Sequence, residues 1–133
     1  MTTKFTVSDI IPASPRAIYD AWLDSKGHSK MTGDKAKMSA KVGDAYTAWD
    51  GYISGVNLEL VPGERIVQSW RSTEFAEGDP DSKITVTLKA VEGGTKLTLL
   101  HTRVPESQSN AKAGWSEWYF EPMKKYFARL ARG

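Results

Sequence analysis

Only two side chains in this sequence can exchange protons near neutrality, His28 and His101. His101 closes the alternation Leu97, Leu99, His101, which turns its imidazole to the inward face of a strand. An imidazole there could serve as a general base, anchor a ligand's polar group, or act structurally by bonding to the strand end or rim. His28 lies in "SKGHSKMTG", a polar stretch that reads as a turn or a short second helix, and it is expected at the surface. Two histidines so placed, with zero cysteines, make no metal motif and leave no thiol nucleophile or disulfide. Arg71 and Arg103 at strand ends and Glu59 within a strand are the remaining candidates. Turned inward, an arginine would bind a carboxylate by a bidentate contact; turned outward, these residues are a solvated face. No glycine-rich loop leads from a strand into a helix, and the serines lack a His/Asp partner pattern. No catalytic residue is assigned, and no metal or cofactor is expected.

These groups sit in a chain of 133 residues, the size of one domain spanning 1–133. With 40% hydrophobic and 26% charged residues, neither disorder nor a membrane protein is favoured. The amino terminus, "MTTKFTVSDIIPASP", has no apolar targeting segment, and no stretch approaches the roughly 18 apolar residues of a spanning helix. The expected location is the cytoplasm, without membrane insertion. A formal charge of +2 is too small to argue for nucleic acid. Charge is local instead: Glu74, Glu77, Asp79 and Asp81 make one loop acidic, while Lys124, Lys125, Arg129 and Arg132 make the last helix basic.

The elements follow from periodicity and punctuation. "KFTVSDII" alternates as a half-buried strand. "SPRAIYDAWLD" carries a helix start, Ser14 as N-cap and Pro15 at the first helical position. After residue 34 the pattern is an antiparallel meander, beginning with "AKMSA", whose Lys35, Lys37 and Lys41 would protect an edge against a second copy, so a monomer is expected. Asp50-Gly51 signals a primed hairpin turn and Pro62-Gly63 a type II turn. Between them Tyr52, Val56, Leu58 and Leu60 share a face, with Gly55 as a candidate bulge. "KITVTLKA" and "TKLTLLHTR" pair across Glu92-Gly93-Gly94.

The last element runs from about Ser107 to Leu130. Trp115, Tyr119, Met123, Tyr126 and Leu130 form its stripe, widened by Phe120 and Phe127 on one flank and Trp118 on the other. So broad an apolar arc implies a helix gripped by a curved sheet. Pro122 removes an amide hydrogen and presses on the carbonyl of Trp118, so the helix either kinks there or ends near Glu121 and restarts.

Strand, helix pair, meander and long final helix is the order of the helix-grip fold: α+β, START-like, a curved antiparallel sheet of about seven strands around a carboxy-terminal helix. The sequence resembles one family within it, the carboxy-terminal domain of the activator of the 90-kDa heat-shock protein ATPase and its single-domain bacterial relatives. The resemblance is carried by "SPRAIYDAW", "GDAYTAWDGYISGVNLELVPGERIVQSWR", "KITVTLKAVEGGTKLTLLHTRVP" and "GWSEWYFEPMKKYF". It implies a heat-shock chaperone as a possible partner. The eukaryotic activator's amino-terminal domain, which makes much of that contact, is not expected in this chain. Relatives of the superfamily share an apolar cavity between sheet and helix.

Met38, Trp49, Leu58, Trp70, Leu99, His101, Trp115, Tyr119 and Met123 are the residues expected to face that space. They describe a pocket for a small apolar or aromatic ligand, and the same set describes a filled core. Three functions remain open at this stage: a ligand-binding module, a co-chaperone docking through its outer surface, and a cyclase-like or hydrolase-like enzyme using His101.

Overall fold

A computed structural model describes residues 2–108 and 110–131. Strand β1 (Thr2–Ile11) leads into helices α1 (Pro15–Leu23) and α2 (Ser25–Thr32). Strands β2 (Ala45–Ala48), β3 (Ile53–Val61), β4 (Arg65–Ser72), β5 (Ser82–Val91) and β6 (Gly94–Pro105) follow. The chain then passes through a single 3-10 turn (Glu106–Gln108) into α3 (Ala111–Trp115), a π-helical segment (Ser116–Phe120) and α4 (Glu121–Ala131). The strands form one six-stranded sheet in the order β1-β6-β5-β4-β3-β2, antiparallel throughout.

Local signals start and stop the elements as expected. Ser14 Oγ accepts the amide hydrogen of Ala17 with Pro15 behind it, which satisfies a donor that the first helical turn leaves without an intrahelical partner. Asp50 and Gly51 both have positive φ, 55° and 91°, as a primed turn requires. At the next hairpin the Glu64 amide bonds Val61 O at 2.9 Å around Gly63, whose φ is 71°.

Segment 36–40, expected as a strand, contributes only an isolated bridge between Lys37 and Thr47, so the sheet has six strands rather than about seven. Hydroxyls of α2 explain the difference. Ser29 Oγ accepts the amide of Ala36 at 2.9 Å, and Ser25 Oγ accepts that of Met38 at 2.8 Å. The backbone donors a ladder would use are taken by side chains.

Strand β3 is turned over relative to the sequence reading. Ile53 and Asn57 point inward and are buried, whereas Tyr52, Val56 and Leu58 are exposed. The bulge lies at Leu58, where the β3–β4 register shifts between Asn57 and Glu59, and not at Gly55. Gly55 answers a different demand: a Cβ there would come within 2.0 Å of Ser69 O and 2.7 Å of the Tyr46 ring. The Tyr46 hydroxyl crosses that space to donate to Ser69 O at 2.6 Å.

Pro122 neither ends nor restarts the final helix. The chain stays helical from Ala111 to Ala131, and the turn before the proline widens to π geometry, with the Glu121 amide bonding Ser116 O. The wider turn shifts the phase of the buried stripe. Phe120 and Phe127 join Trp115, Tyr119 and Met123 in the core, Tyr126 moves to the flank, and Leu130 is 57% exposed. Arg132, expected on the basic flank of this helix, lies outside the described residues.

Candidate functional site

The inner ends of β4, β5 and β6 meet the first half of the final helix in a set of hydrogen-bonded aromatic rings. Trp115 Nε1 donates to His101 Nδ1 at 3.1 Å, which leaves His101 Nε2 carrying the hydrogen and donating to Ser82 Oγ at 2.8 Å. Ser82 in turn donates to the carbonyl of Trp70. Both ring nitrogens of His101 are therefore engaged, and a second proton would confront the Trp115 N–H. Burial pushes the His101 pKa down to about 4. His101 is neutral and structural in this geometry.

His28 is the larger surprise, because it is buried rather than at the surface. Its Nδ1 hydrogen goes to the carbonyl of Trp22 at 2.8 Å, and its Nε2 accepts the Tyr119 hydroxyl at 2.9 Å. Burial lowers its pKa to about 4, opposed in part by the bond to Trp22. A second polar staple runs beside it. Trp22 Nε1 donates to Gln68 Oε1, Gln68 Nε2 donates to Asn57 Oδ1, and Asn57 Nδ2 donates to the carbonyls of Ser39 and Lys41. Every buried polar group in the chain of contacts is thus satisfied, which a low-dielectric interior demands.

Next to these rings the packing opens into a cavity of about 450 Å³. Four indoles border it, those of Trp49, Trp70, Trp115 and Trp118, together with the phenol ring of Tyr119. Trp70 and Trp115 lie 4.8 Å apart between ring centroids, and Trp49 meets Trp118 edge-on at 6.0 Å and Tyr119 edge-on at 5.8 Å. Tyr52, Ile53 and Phe75 extend the apolar wall. On the helix side the wall is made by Ala111 and Gly114, whose small size leaves the space open. The polar contributors are Asp34, Ser72 and Gln108.

Of the residues expected to face such a space, Trp49, Trp70, Trp115 and Tyr119 border the cavity. Leu99, His101 and Met123 are buried in solid core beside it, and Met38 packs against that core from its rim. Leu58 is 46% exposed on the outer face, because inward positions of β3 are the odd-numbered ones up to the bulge. Arg71 does not reach inward; it bonds the carbonyls of Asp79 and Ala76 and the carboxylate of Asp81, organising the acidic loop. Glu59 pairs with Arg65 on the surface, and Arg103 is exposed at a positive φ of 57° where the β1–β6 register slips. Sequence reasoning missed the other wall residues, Trp118, Phe75, Tyr52, Ile53 and Asp34 among them. No local pattern in the sequence marks them, because they lie on separate turns, loops and elements that meet only in the fold.

Among the described residues no three His, Cys, Asp or Glu side chains gather as a metal site would need. No helix among them is long and apolar enough to cross a membrane.

A curved antiparallel sheet around a long carboxy-terminal helix, with two short helices after the first strand, defines a helix-grip protein of the α+β class. Within that class the chain belongs to the family of Activator of Hsp90 ATPase homolog 1-like proteins, whose model matches residues 12–128. It is 30% identical over 132 residues to the human activator of 90 kDa heat shock protein ATPase homolog 1, covering 98% of this chain and 39% of that protein. The chain therefore spans about two fifths of that relative's length. An HSP90 activator from Plasmodium falciparum has the same fold, with a TM-score of 0.83 at 24% identity over 94% of this chain and 96% of that one. So does a protein from Mesorhizobium loti, with a TM-score of 0.79 at 20% identity over 96% and 98% of the two chains.

Proposed function

We propose that this protein is a binding module that holds a small apolar or aromatic molecule between the sheet and the first half of its final helix. The observation that carries the reading is the cavity of about 450 Å³ walled by four tryptophans. That volume falls within the range of small-molecule sites, and mostly aromatic walls with a few polar groups are their usual composition. The engagement of both His101 nitrogens supports binding over acid-base turnover. Titration of a panel of small aromatic compounds, followed by intrinsic tryptophan fluorescence and native mass spectrometry, tests it. Saturable quenching with a stoichiometric adduct is expected, and Ala111→Phe, which fills the hollow, should abolish both. A panel without any binder, or unchanged binding in the filled variant, would remove the reading.

A second reading draws on the family. Relatives named as activators of the 90-kDa heat-shock protein ATPase favour docking of this chain on such a chaperone through charged outer surface. The acidic loop and the Lys125 and Arg129 flank are the exposed charges suited to it, whereas Lys124 is already paired with Asp9 and Glu121. Binding to the chaperone that weakens steeply with salt, together with a rise in its ATPase rate, would support this role. Unaltered ATPase rates at saturating protein would sink it.

A further inference from the structure

The chemistry of the cavity wall is more selective than its hydrophobicity. Its rings are rich in indole, the aromatic surface that attracts cations most strongly. Four of the wall residues are tryptophans, and the single formal charge among all wall residues is the carboxylate of Asp34. Lysine and arginine are absent from the described wall. Behind the wall stands one charge of each sign: the hydroxyl of the wall residue Tyr52 donates to the carboxylate of Glu74, and the Arg71 guanidinium, already paired with Asp81, lies 5.5 Å from the ring of the wall residue Phe75.

From this juxtaposition of indole rings and a carboxylate with no cation on the same wall we infer that the preferred ligand is an organic cation, an alkylated or aryl-bearing ammonium rather than a fatty acid or another anion. The inference rests on the ligand-binding reading above and names its substrate class. An anionic head group would be repelled by the Asp34 carboxylate, with no lysine or arginine among the described wall residues to compensate it. A neutral molecule would gain from apolar contact alone. A quaternary ammonium gains that same contact, the attraction of the ring faces and the field of Asp34. Such an ion has little hydrogen-bonded water to lose, which suits a wall with few polar atoms.

Asp34 is held at the mouth by local structure. Gly33 ends α2 in the left-handed region with φ 92°, and the Asp34 side chain accepts the amide hydrogen of Lys35 at 2.7 Å. Among the described residues it forms no ion pair. Trp118, on the same wall, is 56% exposed and meets Trp49 edge-on. An indole so exposed contributes little to folding, and its place on the wall makes its ring available to a bound cation.

The test uses three ligands of matched shape on the intact protein: benzyltrimethylammonium, its uncharged isostere neopentylbenzene in which carbon replaces nitrogen, and phenylacetate. Affinities are read by tryptophan fluorescence and isothermal calorimetry. The cation should bind at least about tenfold more tightly than the isostere, and phenylacetate should bind most weakly. Asp34→Asn should weaken the cation severalfold and leave the isostere unchanged. Trp118→Leu, at a position too exposed to threaten the fold, should weaken the cation more than the isostere. Equal or tighter binding of the isostere would overturn the inference while leaving the binding module intact. Failure of all three ligands, extended to the wider aromatic panel, would overturn both. A cation that binds Asp34→Asn and Trp118→Leu as tightly as the native protein sits elsewhere, which also overturns it.

Discussion

The two ends of the sheet are covered by the same helix and packed in opposite ways. At one end Ile66, Val86, Leu88, Leu97 and Leu99 share one buried cluster with Met123 and Phe127, and none of them borders the cavity. At the other end Trp70, Ser82 and His101 meet Trp115 and Tyr119, and the rings stand around a hollow. Branched aliphatic side chains interdigitate and fill the space between layers. The large planar rings instead meet edge-on or tilted, and between such pairs space remains. The contrast teaches that the polar staples of the hollow end maintain its shape where aliphatic packing does so at the closed end.

Acid should break the contrast most strongly. His28 and His101 have folded pKa values near 4 against an ordinary value of about 6.5, so between those limits the unfolded chain binds more protons. Their contribution is complete above about pH 6.5 and lost as pH falls toward 4, roughly 3 kcal/mol for each histidine. Urea midpoints from pH 7.5 to 4 should fall steeply in that window, and His28→Gln should flatten part of the fall. A flat profile would show that the staples do not stay neutral by burial.

Truncation of the closed end comes next. Phe127→Ala should cost about 3 to 5 kcal/mol, because a packed neighbourhood collapses only partly onto the space it leaves. Chemical denaturation reads this directly, and a loss below about 1 kcal/mol would mean that the closed end is not tightly packed. Enlargement separates the two ends more finely. Val86→Phe should destabilise by about 1 to 3 kcal/mol. Ala111→Phe, facing the hollow, should stay within about 0.5 kcal/mol of the native protein. Equal costs for both would erase the distinction on which the binding reading depends.

Much of this architecture was legible in local sequence. The Ser14 cap, the Asp50-Gly51 and Pro62-Gly63 turns and the alternation of β5 and β6 each depend on residues a few positions apart. Which residues border the cavity was legible chiefly for the large aromatic ones. Trp49, Trp70, Trp115 and Tyr119 are large enough that an inward strand or helix position brings them to the wall. Leu58 misled because alternation alone puts the hydrophobic set of β3 inward, whereas Asn57 occupies that face with its amide fully bonded. His28 misled for the same reason, since its polar neighbours in sequence give no hint of the carbonyl and phenol that receive it.

By itself the sequence determined the order of elements apart from the strand expected at 36–40, their caps and turns, the broad aromatic arc of the last helix and the family to which the chain belongs. Tertiary structure alone decided which face of β3 turns inward, that His28 is buried, that the proline is accommodated by a π turn, and that one end stays open beside Asp34. The physical reason is range. Caps and turns are satisfied within a few residues, but Trp22 finds Gln68 46 positions away and His28 finds Tyr119 91 positions away. Whether a buried polar group has a partner, and whether a space is filled, are properties of side chains that meet only when the sheet closes on the helix.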